Sequence, residues 1–438
     1  MSGDSKSRDS ASVRGKGSSV LSKPVVSWAL YDLANTVFSM NIVSFFLSLW
    51  VIDLMGGTDK MWGWANSLSM LAMLLTAPLL GALSDRAGRR LPLLLASTLS
   101  CVLLTSFLGV PGVFGTLILF GLANYFFQAG LVFYDALLPV VSTPENRGRV
   151  SGFGVGVGYV GSFIGLGVGF ALRETLGYEW VFRATAILFL VFAIPVFIWV
   201  KEPGKPSWPG GGRVIGGAFR QVLSTFRQVR HYRGLGRFLI GRAFYTDAAN
   251  TLIVFMGPYV VLTIGYSKAT TNILMMVAVA AAIVGGLAWG PVVDRLGPKR
   301  TLDLVLLTWI ATLVSAAAIP VLQLPRALFW VVACATGIAL GGTWASDRPL
   351  MLVLSPPSKV GEFYGLYSMI GRFAAVVGPV LWAFVAEDLG LGRPASVFVL
   401  AVMVVVALVI LRRVDDEPRA WTPEESGVEG YSRGSSPG

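Results

Sequence analysis

Long apolar segments, each bounded by charged residues, proline or glycine, recur along the whole chain. Six of them precede a polar interval in the middle of the sequence, and six follow it. Most are about 20 residues long, the length that crosses a bilayer as an α-helix, whereas strands of a membrane barrel need only about 10. The pattern predicts twelve transmembrane helices, at 25–52, 61–83, 91–109, 113–138, 150–172, 181–200, 238–264, 268–293, 301–320, 326–346, 362–386 and 395–411.

The composition argues for a membrane protein and against a soluble enzyme. Hydrophobic residues make up 54% of the 438 residues, charged residues make up 13%, and the mean hydropathy is +0.69. Soluble domains contain about 25% charged residues, so a soluble protein of this size would have too little charge to cover its surface. We therefore expect an all-α membrane protein surrounded by the lipid bilayer.

Two six-helix bundles and the polar segments around them form the predicted domain organisation. The central interval places Ile215, Phe219, Val222, Phe226 and Val229 at helical spacing with arginines between them, which predicts a basic amphipathic helix on the inner leaflet. A solvated linker with incidental helicity is the alternative. The predicted segments are a disordered tail 1–24, a bundle 25–200, a linker 201–237, a bundle 238–411 and a disordered tail 412–438.

The distribution of basic residues predicts the orientation. With both termini in the cytoplasm, most of the 35 lysines and arginines fall in cytoplasmic segments, as expected of a multi-pass protein of the cell membrane. Topology therefore explains the net charge of +11, and no basic stripe alternates with aromatic residues, so no nucleic-acid partner is expected. The basic residues of the predicted external loops are Lys60, Arg173, Lys268, Arg326 and Arg393.

The sequence lacks the residue patterns of catalytic, metal-binding and nucleotide-binding sites. Cys101 and Cys334 lie in apolar segments without a CxxC partner, and His231 is the only histidine. A disulfide framework, a zinc site and a His-based catalytic site are therefore not expected. The sequence contains no GxxxxGK[ST] motif for nucleotide phosphates. We expect neither an enzyme nor a bound cofactor or metal.

The two halves of the sequence repeat each other at an offset of about 210 residues. Residues 32–36, DLANT, match residues 247–251, DAANT, and three further matches follow in the same order. Parallel repeats related by an axis along the membrane normal are a transporter architecture, with the substrate bound between the halves. The further matches are residues 85–88 with 294–297, Asp135 with Asp347, and Gly148 and Gly152 with Gly361 and Gly365.

Five glycines at spacings of three or four residues mark one face of the fifth predicted span. Such rows of small residues let a neighbouring helix approach closely, and we interpret this face as a sliding seam between the two halves. Part of the row also matches a dinucleotide-binding pattern, but no strand precedes it, so a nucleotide site is not expected. The five residues are Gly154, Gly158, Gly161, Gly165 and Gly169.

The loop after the second span, residues 81–90, reads GALSDRAGRR and recurs at residues 290–300. Both loops resemble the cytoplasmic signature loop of the major facilitator superfamily. Gly88 allows a tight turn, and Asp85 can face a helix N-terminus or an arginine in one conformation only, which predicts a latch. The alternative is a short basic turn set only by topology. The predicted gate residues are Gly81, Asp85, Arg86, Gly88, Arg89 and Arg90, with Asp294, Arg295, Gly297, Lys299 and Arg300.

Five further segments stand out: residues 28–35 (WALYDLAN), 133–139 (FYDALLP), 147–153 (RGRVSGF), 341–348 (GGTWASDR) and 363–367 (FYGLY). Together they resemble the vacuolar amino-acid effluxer-like branch of that superfamily. Asp347 departs from the pattern of the branch, in which a small hydroxyl residue precedes the arginine. The resemblance implies export or redistribution of small solutes, including amino acids.

The resemblance also implies that the first, fourth, seventh and tenth spans line a central cavity. Each of these spans has one acid within it or directly after it, and a charge near the bilayer centre costs at least ~2.5–3.5 kcal/mol. Three interpretations remain open: ion pairs of an inner gate with Arg242, Arg348 or Arg372, proton-coupling sites, and polarity at helix ends. The predicted cavity residues are Tyr31, Asp32, Asn35, Tyr134, Asp135, Asp247, Asn250, Trp344, Asp347 and Arg348.

The sequence thus predicts a major facilitator fold of two parallel six-helix pseudo-repeats. The predicted function is secondary active transport of a small solute by alternating access, with protons as the candidate coupling ion. The alternative is a passive channel or a facilitator without ion coupling. A channel would more naturally repeat a pore motif around an oligomer, whereas this chain carries two gate loops. We expect a monomer.

Overall fold

The structure is a computed structural model that describes residues 19–202, 229, 232–417, 419–422 and 425. For residues 53, 59 and 373–376 it describes the backbone alone. The predicted amphipathic helix of the linker lies outside the described residues, as does most of each predicted tail.

Twelve long helices follow one another along the described part of the chain. Eleven are long and apolar enough to cross a bilayer, and the remaining one, α3, has 16 residues. Their order confirms the predicted all-helical membrane fold. The helices are α1 (Lys23–Ile52), α2 (Lys60–Ala87), α3 (Leu91–Ser106), α4 (Gly112–Asp135), α5 (Arg147–Thr175), α6 (Tyr178–Trp199), α7 (Leu235–Ile264), α8 (Lys268–Leu296), α9 (Pro298–Val321), α10 (Leu328–Leu354), α11 (Pro357–Asp388) and α12 (Gly392–Leu411).

Equivalent capping residues begin α2 and α8. The Thr58 hydroxyl accepts the backbone N–H of Met61 at 3.2 Å, and the Ser267 hydroxyl accepts that of Thr270 at 3.1 Å. Each side chain satisfies one of the N–H groups that the first helical turn leaves without a partner. α2 ends at Gly88, whose φ of 65° lies in the left-handed region that favours glycine. The repeat therefore extends to the signals that start these helices.

Two helices are shorter than their predicted spans. α3 ends at Ser106 because residues 107–111 form a series of turns. α4 ends at Asp135, and a separate helical turn, Leu138–Val141, follows it. Pro139 lies in this turn and has no N–H to donate, so it cannot extend the hydrogen bonding of α4.

Both halves use the same set of helix contacts. In the first half, α1 packs on α5 and α6, α3 packs on α4 and α6, and α2 packs on α4. In the second half, α7 packs on α11 and α12, α9 on α10 and α12, and α8 on α10. Two contacts between the halves are also equivalent, α2 with α11 and α5 with α8. The structure thus shows the two parallel pseudo-repeats predicted from the sequence.

Each half has a dry aromatic interior and an apolar outer face. In the first half, the Tyr134 ring stacks on Trp28 at 4.6 Å between centroids, and on Tyr31 at 5.2 Å. Large apolar side chains such as Ile187 and Val191 of α6 are more than half exposed. A contiguous apolar surface of this extent is expected where lipid replaces water.

The glycine row of α5 forms a close helix contact. The prediction that this row lies between the two halves is wrong. A methyl group on Gly161 would lie 2.5 Å from the Leu33 carbonyl oxygen, and one on Gly165 would lie 3.1 Å from the Asn41 side chain. Both neighbours belong to α1, within the same half. The sequence could not distinguish the two faces of α5, because both carry glycines at helical spacing. The face that meets the other half contains Gly148 and Gly152.

Gly161→Leu should therefore destabilise the first half, because the larger side chain would overlap the α1 backbone. Overpacking of this kind costs about 1–3 kcal/mol. Thermal unfolding of the purified protein should show a lower Tm. The matched control is Gly167→Leu on the same helix, where an added methyl group would meet nothing within 4 Å. Equal Tm values for the two variants would contradict the assigned contact.

Candidate functional site

One end of the bundle brings together the two loops that resemble the signature loop. Here α2 and α8 end, α5 and α11 begin, and α4 and α10 also end nearby. We call it the basic end, and define it by Arg86, Arg89, Arg90, Arg147, Arg149, Arg295, Lys299 and Arg300.

Asp85, at the end of α2, binds the start of α11 in the other half. Its Oδ1 accepts the backbone N–H of Gly361 and its Oδ2 accepts that of Glu362, both at 2.8 Å. Arg90 also donates to Asp85 Oδ1, at 2.9 Å. A carboxylate at a helix N-terminus satisfies free N–H groups and interacts favourably with the helix dipole. We call this contact the first latch.

Asp294, at the end of α8, makes the equivalent contact with the start of α5. Its Oδ1 accepts the Gly148 N–H at 2.6 Å, and its Oδ2 accepts the Arg149 N–H at 3.3 Å. The Arg149 side chain adds an ion pair, with 2.6 Å between Nε and Oδ2. We call this contact the second latch. Each latch connects opposite halves, so the two together join the halves at the basic end.

Glycine makes both latches possible. A methyl group on Gly361 would lie 2.7 Å from Asp85 Oδ1, and one on Gly148 would lie 2.6 Å from the Gly290 carbonyl oxygen. One helical turn further, a methyl group on Gly152 would overlap the Gly286 carbonyl oxygen. The helices approach too closely for any side chain at these positions. The repeated glycines of the sequence thus mark where the halves touch.

The other predicted gate residues lie around the latches. Gly88 and Gly297 both adopt positive φ, 65° and 85°, and end α2 and α8. The Lys299 ammonium pairs with Asp303 at 2.7 Å, rather than with Asp294. Arg86 and Arg89 are partly exposed, and Arg295 and Arg300 are exposed.

Sequence reasoning missed two further carboxylates at the basic end. Glu202, just after α6, accepts the backbone N–H groups of Arg90 and Leu91 at 2.8 Å. Asp416, just after α12, accepts the equivalent N–H of Lys299 at 3.0 Å. The two acids cap α3 and α9. Their separation of about 210 residues fits the repeat and could have identified them.

A buried cluster of charges lies next to the latches and joins the halves a second time. Arg348 of α10 donates to Asp32 Oδ2 of α1 at 3.1 Å, and its Nε lies 3.1 Å from Asp135 Oδ1 at the end of α4. Its guanidinium also lies 5.6 Å from the centre of the Tyr134 ring. These contacts match the predicted inner-gate ion pairs of Asp32 and Asp135.

The second half contains its own buried ion pair. Arg242 of α7 donates to Asp347 Oδ2 of α10 at 3.1 Å and to the Tyr367 carbonyl of α11 at 2.9 Å. The Tyr367 hydroxyl donates to the same carboxylate oxygen, at 3.0 Å. Removing one partner of such a buried pair costs about 3–5 kcal/mol, because it leaves an uncompensated charge.

Asp247 is the only one of the four acids without a cation near it among the described residues. It is 2% exposed, and its Oδ1 accepts the backbone N–H of Gly378 in α11 at 2.9 Å. Arg372, which the sequence suggested as a gate partner, forms no ion pair within 4.0 Å among those residues.

Of the remaining predicted cavity residues, two have polar contacts, one is buried without them among the described residues, and one is partly exposed. Tyr31 lies inside the first half, where its hydroxyl is 2.7 Å from that of Thr98, and the backbone carbonyl of Trp344 accepts a hydrogen bond from the Ser151 hydroxyl across the halves. The Asn35 amide is buried with no hydrogen-bond partner in the described part of the chain. Asn250 is partly exposed.

Comparison with known proteins agrees with this architecture. The family described as "Vacuole effluxer Atg22 like" matches residues 58–420. The MFS-type transporter YxiO of Bacillus subtilis is 25% identical over 432 residues, covering 92% of this chain and 95% of YxiO. Autophagy-related protein 22-1 of Neosartorya fischeri is 26% identical over 300 residues, which are 61% of this chain and 48% of that protein.

Solved structures show the same fold. The human organic anion transporter MFSD10 superposes with a TM-score of 0.69 at 15% sequence identity. The superposition covers 89% of this chain and 98% of that chain.

Asp85→Asn should weaken the first latch, because one amide cannot accept both N–H groups of α11 as a carboxylate does. Losing a charged acceptor costs about 1.5–3 kcal/mol, which shifts the gate equilibrium about 10- to 100-fold toward opening. The reporter is Ser151→Cys, a fully buried position between the halves, in a chain with Cys101→Ser and Cys334→Ser. Its thiol should react faster with a water-soluble maleimide.

The matched control for this variant is Glu145→Gln, an exposed acid of the same end. It should leave the labelling rate unchanged. Labelling of the Asp85→Asn protein at the rate of the unsubstituted protein would show that Asp85 does not hold the gate closed.

Proposed function

The chain belongs to the vacuole effluxer Atg22-like family of the major facilitator superfamily, and from this premise we propose that it exports a small solute by alternating access. It is a multi-pass membrane transporter, and its bacterial relative YxiO points to the cell membrane. In our proposal, transport is active and is coupled to protons. The basic end faces the cytoplasm, with both termini on that side.

The observation that carries this proposal is the pair of latches that connect opposite halves. Asp85 and Asp294 each bind backbone N–H groups that belong to the other half. Because the contacts are equivalent in the two repeats, one rocking motion breaks both at once. The described conformation is closed at the basic end, and export requires a second conformation in which that end opens.

This arrangement favours a carrier over a passive channel. A channel needs one continuous path, whereas Arg348 and the two latches close one end of the space between the halves. Saturable counterflow of a solute in proteoliposomes would distinguish the two, since a channel gives no counterflow. A thermal-shift screen against amino acids, sugars and cationic drugs provides the solute for this measurement.

Asp247 is the group that we assign to the proton. The repeat pairs it with Asp32, but Asp32 has Arg348 as its partner, whereas Asp247 has the backbone N–H of Gly378 and the Thr251 hydroxyl beside it and no cation within 4.0 Å among the described residues. A buried carboxylate without a cation readily takes up a proton, while one beside an arginine stays ionised. The two equivalent acids therefore divide the roles: Asp32 closes the gate, and Asp247 binds the proton.

Asp247→Asn should abolish accumulation driven by a pH gradient, because the amide cannot take up and release a proton. Exchange of solute down its own gradient should continue, since the gate residues are unchanged. Both are measured as uptake of the labelled solute into proteoliposomes. The matched control is Asp388→Asn, an exposed acid at the far end of α11, which should leave both activities intact. Uphill, pH-driven uptake by Asp247→Asn would refute the coupling role.

A further inference from the structure

Arg372 of α11 takes part in none of the ion pairs formed by the buried acids. Asp32 and Asp135 bind Arg348, and Asp347 binds Arg242. In the described part of the chain, Arg372 has no carboxylate within 4.0 Å, and its Nε is buried without a hydrogen-bond partner. The side chain is nevertheless partly exposed, so a small molecule can reach it.

A second arginine, Arg242, lies beside Arg372 on α11. The Arg242 guanidinium packs against α11, because a methyl group on Gly371 would lie 2.9 Å from its Nη1. Gly371 is the direct neighbour of Arg372 in the sequence. Arg242 is already paired with Asp347, so of the two guanidinium groups only that of Arg372 has no carboxylate within 4.0 Å among the described residues.

The register of α11 against α2 places Arg372 between the two halves. Gly361 of α11 touches Gly81, and four residues later Gly365 touches Ala77. The next turn brings Met369 against a cluster of α2 and α4 that contains Met73 and Ala77. Arg372 lies three residues after Met369, and so on the same helix face. Since α2 runs antiparallel to α11, this register puts Arg372 at the level of Met70.

Carboxamide side chains of the first half lie at that level. The Gln128 amide of α4 donates toward the Met70 sulfur at 3.9 Å and to Asn124 Oδ1 at 3.5 Å. Asn124 in turn donates to Asn66 at 3.2 Å. The Gln128 Oε1 is buried with no hydrogen-bond partner among the described residues. Burying amide side chains in an otherwise apolar bundle costs free energy unless they have hydrogen-bond partners, so polar groups here indicate a functional site.

We propose that Arg372 binds the carboxylate group of the transported solute at a subsite between the two halves. The planar guanidinium binds a carboxylate through two parallel hydrogen bonds, and the unpartnered Gln128 Oε1 of the opposite half can accept a hydrogen bond from a donor group of the same solute. A solute held this way touches both halves just beyond the latches. The proposal names the substrate class of the transporter and rests on the proposed function.

The test measures thermal unfolding of the full-length protein at constant ionic strength, with probes that differ only at the acid group. The pairs are N-acetyl-L-leucine with N-acetyl-L-leucinamide, benzoate with benzamide, and succinate with succinamide. At least one carboxylate should raise the Tm, and its amide should not. In Arg372→Gln the apparent affinity for that carboxylate should fall about tenfold or more, the loss expected for a charged hydrogen bond.

Two further variants separate binding from a structural role. Arg183→Gln removes a partly exposed arginine of α6 that lies over the Trp180 ring, and should keep the response. Without any probe, Arg372→Gln should keep or raise the Tm, because no ion pair is lost. Arg372→Lys retains the charge but not the planar fork, and should bind the carboxylate less tightly than the unsubstituted protein.

Three results would overturn the subsite: no carboxylate raises the Tm, Arg372→Gln responds like the unsubstituted protein, or Arg372→Gln lowers the Tm without a probe. Failure of the proposed function looks different. In that case carboxylates still bind through Arg372, but no solute shows counterflow in proteoliposomes.

Discussion

Charge neutralisation at the place where the two halves meet is the constraint on which the rest of the structure depends. Asp32 and Asp135 of the first half have no arginine of their own: the repeat places Ser27 where the second half has Arg242, and Ala136 where it has Arg348. An unpaired charge inside the membrane costs at least ~2.5–3.5 kcal/mol near the bilayer centre. In the described conformation, in which the basic end is closed, Arg348 lies within 3.1 Å of both acids and offsets one of their two negative charges. Opening this end requires water or a solute to replace Arg348.

The latches apply the same principle with backbone groups in place of side-chain cations. The first N–H groups of any helix have no intrahelical partner. Because α5 and α11 begin at the interface, these groups can bind an acceptor from the other half. Asp85 and Asp294 supply it, and glycines allow the backbones to come within reach. Glu202 and Asp416 cap α3 and α9 beside the latches, within their own halves. In the proposed mechanism the contacts of Asp85 and Asp294 break, because they connect opposite halves, whereas those of Glu202 and Asp416 do not.

The sequence was sufficient for the helices, the repeat and the residues of the latches, because each has a local signature: about 20 apolar residues, a fixed offset, or Asp followed by a glycine turn. It could not pair the acids with the arginines. Arg348 follows Asp347 directly, yet it binds Asp32 and Asp135, since adjacent residues of a helix point in different directions. The prediction made from the glycines of α5 was wrong for the same reason. Gly152 and Gly161 lie on different faces, and only packing shows which face meets the other half.

α11 connects the three functional elements of the site. Its first turn is held by Asp85, Arg372 lies at its middle, and its Gly378 N–H is held by Asp247. Pro379 follows immediately and cannot donate a helical hydrogen bond, so α11 can bend at this position. A protonated Asp247 is a weaker acceptor for Gly378 than an ionised one. In the function and subsite that we propose, proton binding at Asp247 and anion binding at Arg372 both act on α11. Their free energies must then be linked, which is the condition for one gradient to drive another.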